Sequence, residues 1–171
     1  VTYYHHSGFS VAMDDVLLVF DYWTGEHGEL PEDKCITVDF LKQFRQVYVF
    51  ISHEHPDHLD PVVFTWRSEA PVTYIVSADM PVGTRGKRMA PGDSLTLSPE
   101  VSVKAFDSTD LGVSFYVEVG GLHIFHAGDL NLWHWREEST LRQITQAENL
   151  YYAAVQPLIG KPIDVCMFPV D

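Results

Sequence analysis

Three histidines and an aspartate fall within the run Ser52-His53-Glu54-His55-Pro56-Asp57-His58. Imidazole nitrogen and carboxylate oxygen are ligands that Zn²⁺, Mn²⁺ and Fe²⁺ accept, so the pattern points to metal binding. In an extended turn His53 and His55 project to one side and can share one ion. Asp57 and His58 come round the bend after Pro56 and can reach a second ion close by. A polar surface loop can be histidine-rich by chance, but it has no reason to follow Val47–Ile51, five apolar residues in succession. That run is the mark of a strand covered on both faces.

A second group, His126-Ala127-Gly128-Asp129, also closes an apolar run. The small residues let the backbone approach closely, and Asp129 can then lie between two ions. Alone, Gly-Asp after a strand reads as a turn; beside the first motif it reads as a ligand.

The elements that must carry these residues are legible as β-rich runs broken by turns. Phe9–Met13 and Val16–Phe20 flank Asp14-Asp15 as a hairpin. Residues 22–33 form an acidic loop. Asp39 is expected to cap a short helix, Phe40–Phe44. Val47–Ile51 leads into the histidine motif, and Pro61 suits the first turn of a helix through Arg67. Val72–Val76 is a strand and Pro81–Asp93 a loop. Further strands are Ser94–Leu97, Val101–Phe106, Val113–Val119 and Leu122–His126, the last two joined by Gly120-Gly121. From Arg136 to about Val155 the pattern is helical, with Leu141, Ile144, Ala147, Tyr151 and Ala154 on one stripe. Pro157 and Gly160 close it, and Ile163–Val170 is expected as a last buried strand. Strands with helices between and after them indicate layered α/β architecture in one domain over residues 1–171.

Composition sets outer limits. The 171 residues can bury a substantial core, and 46% hydrophobic with 20% charged is ordinary for a globular chain. Twenty-four acidic against 11 basic residues give a formal charge of −13, which disfavours nucleic acid as a partner. No apolar run reaches the ~20 residues of a membrane-spanning helix, and residues 1–7 do not look like a signal peptide. A cytoplasmic location and a small-molecule partner are expected, with the oligomeric state open. Cys35 and Cys166 sit in apolar surroundings far apart and are expected as buried free thiols. The chain begins at Val1 and stops at Asp171 directly after an apolar run, so a further C-terminal segment is expected.

The motif His53-x-His55-x-Asp57-His58 resembles the H-x-H-x-D-H hallmark of the metallo-β-lactamase superfamily, and Ala127-Gly128-Asp129 resembles its A-G-D motif. Asp21, closing the strand Val16–Phe20, matches the acidic residue that buttresses the metal loop. His5-His6-Ser7-Gly8-Phe9 is similar to the H-S-x-F opening of the branch holding ascorbate-6-phosphate lactonases and metal-dependent hydrolases. The resemblance runs from about residue 2 to 171.

It implies an αββα four-layer sandwich with the site at one edge and, here, without its C-terminal part. It implies two divalent metal ions, zinc foremost with manganese or iron as alternatives. His53 and His55 would hold one ion, Asp57 and His58 the other, and Asp129 would bridge them. A water or hydroxide between the ions would be the nucleophile, with Asp57 orienting it and carrying its proton. Two departures stand out. Where relatives place a third histidine on the first metal, this chain has Asp107-Ser108-Thr109-Asp110. Relatives also place a last histidine on the second metal, well beyond the strand at 163–170, and the sequence ends at Asp171 before that point. An open or water-filled position is therefore expected on the first metal, with residues 108–110 just outside it and a shift toward harder ions. Asp110 has the better ligand chemistry in that stretch, although it could instead cap a turn before Gly112.

Other residues carry two readings each. His5 or His6 supports the site or lies exposed on a strand, with support favoured. Trp133 and Trp135 floor a substrate pocket or belong to the core. His126 is expected as strand-end packing, His123 as a surface residue, and the basic run Thr84–Arg88 as a solvated loop. The function expected is hydrolysis of an ester, lactone or phosphoester bond in a small anionic substrate. A nuclease or phosphodiesterase, or a metal-binding module without catalysis, is the alternative, since fold alone does not fix function.

Overall fold

The five consecutive apolar residues before the histidine motif do form a buried strand. In the computed structural model, which describes residues 1–135 and 137–169, Gln46–Ile51 is the fourth strand of a six-stranded sheet. The chain divides into two compact units, residues 1–89 and the residues from 90 onward.

The first unit holds β1 (Thr2–Tyr3), β2 (Phe9–Met13), β3 (Val16–Phe20), α1 (Val38–Leu41), β4 (Gln46–Ile51), β5 (Val72–Ser77) and β6 (Lys87–Met89). They pair in sequence order, antiparallel from β1 to β3 and parallel from β3 to β6. The β2–β3 hairpin turns at Asp14-Asp15 as expected, with Asp14 at φ 48°. Parallel strands buried on both faces need unbroken apolar sequence, and every residue of β3 is buried, as is every residue of β4 after Gln46. Leu17, Val19, Val47, Val49 and Ile51 join Trp66, Tyr74 and Leu41 in one core. Burying the two phenylalanines Phe20 and Phe50, stacked at 4.8 Å across β3 and β4, contributes about 3 kcal/mol or more.

Two local expectations are corrected. The short helix is Val38–Leu41, capped by Thr37, whose hydroxyl accepts the Phe40 amide. Asp39 lies inside it, so a β-branched hydroxyl residue outcompetes the carboxylate two positions on. The 81–93 segment is not all loop, because Lys87–Met89 adds to the edge beside β5; Arg88 is held by the carbonyls of Ala78, Met80 and Pro81. The expected helix after Pro61 is a 3₁₀ helix, Pro61–Ser68, with Asp60 capping through the Val62 amide.

The second unit holds β7 (Ser94–Ser98), β8 (Val101–Phe106), β9 (Ser114–Val119), β10 (Leu122–His126), α2 (Leu141–Val155) and β11 (Val165–Met167). Strands β7 to β10 form an antiparallel meander, and β11 returns parallel to β10 at the edge. Helix α2 begins later than its pattern suggests. Thr140 and Gln143 form a reciprocal capping box there, which satisfies two of the amides a helix start leaves open. Of the stripe, Ala154 is buried and Ile144, Ala147 and Tyr151 half-buried, whereas Leu141 is exposed. The last strand is shorter than the expected Ile163–Val170 and only Met167 in it is buried. Asp164 ends the preceding turn by taking the His123 amide. Arg136 and Val170, at the ends of those two expected elements, lie outside the described residues.

Both cysteines are free, but Cys166 is exposed and Cys35 half-buried, so the expectation of two buried thiols does not hold. Cys166 lies on an edge strand whose exposed face the apolar sequence did not reveal. Among the described residues no helix is long and apolar enough to cross a membrane.

Candidate metal centre

Strand β4 ends at Ile51 and hands the chain to Ser52 and His53, both fully buried. His55 then takes an extended backbone and Pro56–His58 forms one 3₁₀ turn, closed by the His58 amide on the His55 carbonyl. Pro56 fits the first position of that turn because its missing N–H would be unpaired there anyway. The turn brings the rings together: His53 lies 4.5 Å from His55 and 4.1 Å from His58, centroid to centroid.

Hydrogen bonds fix which nitrogen the His53 and His58 rings present. Asp21, fully buried at the end of β3, accepts the Ser52 amide at 2.8 Å and the Ser52 hydroxyl at 2.5 Å. Its Oδ2 is also 2.8 Å from His58 Nδ1. An ionised carboxylate only accepts, so His58 Nδ1 carries the proton and Nε2 keeps its lone pair. The Ser52 hydroxyl has spent its one proton on Asp21. It therefore accepts from His53 Nδ1, 2.9 Å away, which leaves His53 Nε2 as a lone-pair donor too. This carboxylate–imidazole arrangement orients metal-binding histidines generally.

The ligand geometry fits a metal. His53 Nε2 and His55 Nδ1 lie 3.0 Å apart, close to the roughly 3.3 Å between two nitrogens each ~2.0–2.1 Å from one tetrahedral ion. Asp21 offers chemistry of the same type, and its ligand atom lies within 4.8 Å of those of His53 and His58. Both its oxygens are engaged by Ser52 and His58, so it supports the centre, as the sequence suggests.

The Tyr4–Gly8 turn buttresses the other side. His6 Nε2 is 3.2 Å from Asp57 Oδ2, and the His6 ring meets the His58 ring edge-on at 5.0 Å. His6 adopts φ 50°, and Gly8 lies so close that a Cβ would be 2.9 Å from the His5 carbonyl and 3.2 Å from that of Asp21. Of the two readings for His6, support of the site fits this contact. The His6–Asp57 pair, the Ser52 relay and the tilted packing of Trp23 near His5 at 5.0 Å have no signature in spacing alone. Only the H-S-G run hinted at them.

In the second unit, Asp129 follows β10 on the Gly128 turn and is half-buried. His126 is buried, its Nδ1 accepting the Gly128 amide at 3.3 Å, which is the packing role expected. Residues 108–110 are tied to the chain just past Asp129: Thr109 Oγ1 donates to the Asn131 carbonyl and accepts the Asn131 amide. A carboxylate oxygen of Asp110 lies within 4.8 Å of one of Asp129. Trp133 donates its indole N–H to the Asp129 carbonyl at 2.9 Å, while Trp135 is 59% exposed; the core reading therefore fails for Trp135. His123 is a part-exposed residue of β10, as expected, and is paired with Asp164.

A sequence model described as a beta-lactamase superfamily domain matches residues 1–159. The chain belongs to the β-lactamase superfamily. Its relatives include a UPF0173 metal-dependent hydrolase of Ignicoccus hospitalis, 26% identical over 148 residues that cover 78% of this chain. The chain spans 61% of that relative's length. Two solved structures share the fold. One is a candidate metal-dependent hydrolase of Parabacteroides distasonis, 16% identical with a TM-score of 0.55, over 95% of this chain and 89% of that one. The other is CmlA, a diiron beta-hydroxylase of Streptomyces venezuelae, 18% identical with a TM-score of 0.60, over 96% of this chain and 33% of that one. The superfamily fold, α/β with two sheets and few helices, is the one its motifs implied.

Proposed function

We propose that this superfamily member is a metal-dependent hydrolase acting on an ester, lactone or phosphoester bond in a small substrate. The observation that carries the reading is the convergence of His53 Nε2 and His55 Nδ1 at 3.0 Å, with His53 and His58 held by Ser52 and Asp21 in the tautomers that ligate. His53, His55, Asp57, His58 and Asp129 are the ligands proposed, Asp129 on the strength of its Ala-Gly-Asp motif. Two ions are proposed, zinc foremost and manganese or iron next. Divalent ions in such a centre supply Lewis acidity and lower the pKa of water from about 15.7 toward about 7. The protein's part is orientation. Asp21 fixes the His58 ring, Ser52 fixes His53, and His6 positions the Asp57 carboxylate to orient an attacking water and take its proton.

Asp110 is proposed as the ligand standing where relatives have a histidine. Its carboxylate lies near that of Asp129, and oxygen in place of nitrogen favours harder ions. The acidic chain charge of −13 supports a small-molecule substrate over nucleic acid.

The test is a panel of p-nitrophenyl acetate, γ-butyrolactone and bis(p-nitrophenyl) phosphate with zinc-, manganese- and iron-loaded protein. Turnover of at least one, lost with a chelator and restored by metal, is expected. Stoichiometrically loaded protein that turns over none of them overturns the reading.

A further inference from the structure

Beside the histidine motif, within the first unit, opens a cleft of about 820 Å³. Trp23 and Glu26 line it from the loop after β3, and Glu54, Asp57 and Asp60 from the motif side. Every ionisable residue of its lining is acidic. Two of the carboxylates are already committed: Asp57 faces His6 at 3.2 Å, and Asp60 takes the Thr24 hydroxyl and the Val62 amide. Glu26 and Glu54 are exposed and make no hydrogen bond or ion pair with a described residue. Trp23 is half-buried, packed near the rings of His5 and His6.

An indole that lines the same cleft as uncommitted carboxylates supplies the chemistry that receives a cation, through the ring's negative face and through charge attraction. The same carboxylates repel an anion. We infer that the cleft binds an ammonium or guanidinium group, held by Trp23, Glu26 and Glu54, on the part of the substrate remote from the bond cleaved. The word substrate rests on the hydrolase reading above; the cation site itself rests only on the cleft. Any negative charge on the substrate is then confined to its reacting end.

The probes are choline and its uncharged isostere 3,3-dimethyl-1-butanol, titrated calorimetrically into metal-loaded protein. Choline is expected to bind at least roughly tenfold more tightly. The Glu26→Gln/Glu54→Gln variant should lose that preference with metal content unchanged, and both residues are exposed, so folding is spared. Trp23→Phe should keep choline binding and Trp23→Leu should lose it. Equal affinity for the two probes, or undiminished choline binding in the double glutamine variant, overturns the proposal. Choline binding without turnover of any ester, lactone or phosphodiester counts against the hydrolase reading alone. Turnover without choline preference counts against the cation site alone.

Discussion

Asp21 Oδ2 lies 2.8 Å from His58 Nδ1, with both side chains fully buried. The aspartate is the hub from which two histidines receive their tautomers, since Ser52 passes its influence on to His53. Asp21→Ala strands the Ser52 amide, the Ser52 hydroxyl and the His58 ring in a buried setting. We expect a loss of about 3–5 kcal/mol in folding stability, read by chemical denaturation. Asp21→Asn keeps the shape but offers an amide N–H where an acceptor is needed. It should fold and bind metal about 10–100-fold more weakly; unchanged affinity would show that His58 needs no such partner.

Gly8 is required by close approach. A methyl group there meets two backbone carbonyls, those of His5 and Asp21, neither of which can swing aside as a side chain can. Gly8→Ala is expected to cost about 1–3 kcal/mol and to displace His6 from Asp57. Thermal unfolding of the variant checks the first effect. Its second effect should appear as weaker metal binding at neutral pH.

The tie between β10 and the turn before β11 is expected to be acid-sensitive. The His123 backbone amide and then the His123 ring hold the Asp164 carboxyl below its usual value of 3.8. A depressed carboxylate pKa contributes stability that is present above the unfolded value and lost as pH falls through the folded one. The protection of amides 124–126, taken relative to their intrinsic exchange rates, should therefore fall below about pH 4 and hold steady between pH 5 and 8. Asp164→Asn should show the lower protection already at neutral pH.

Asp110 and Ser108 compete for the role of the absent histidine. If Asp110 ligates, Asp110→Ala lowers metal affinity by about tenfold or more, and Ser108→Ala leaves it nearly unchanged. Competition with a chromophoric chelator measures both. The reverse order would give the role to Ser108, and unchanged affinity in both variants would return the stretch to the supporting place that the sequence alone suggested.

What was legible in the sequence follows from where physics is local. The strand β4 and the motif after it were visible because burial on both faces forces an unbroken apolar run, and because three histidines and an aspartate so close together have few other uses. The hairpin at Asp14-Asp15 and strands β8 and β10 followed from alternation and turn residues. The Ser52 relay was not visible, since a serine after a strand is unremarkable until Asp21 is folded against it, 31 positions earlier in the chain. Thr37 displaced Asp39 as the helix cap, because both are good caps and only backbone geometry decides. The edge strands β6 and β11 were misjudged for a related reason: an edge takes its pairing from its neighbour, and its sequence need not be buried. Trp23 and the acidic cleft lay in a loop with no periodicity to read.

The central claim is that His53 and His55 chelate a divalent transition metal. Elemental analysis of extensively dialysed protein, wild type beside His53→Ala/His55→Ala, tests it most directly. The account predicts bound zinc, manganese or iron in the wild type and the loss of at least one equivalent in the double variant, with its far-ultraviolet circular dichroism unchanged. A double variant that retains the full wild-type metal content would contradict it.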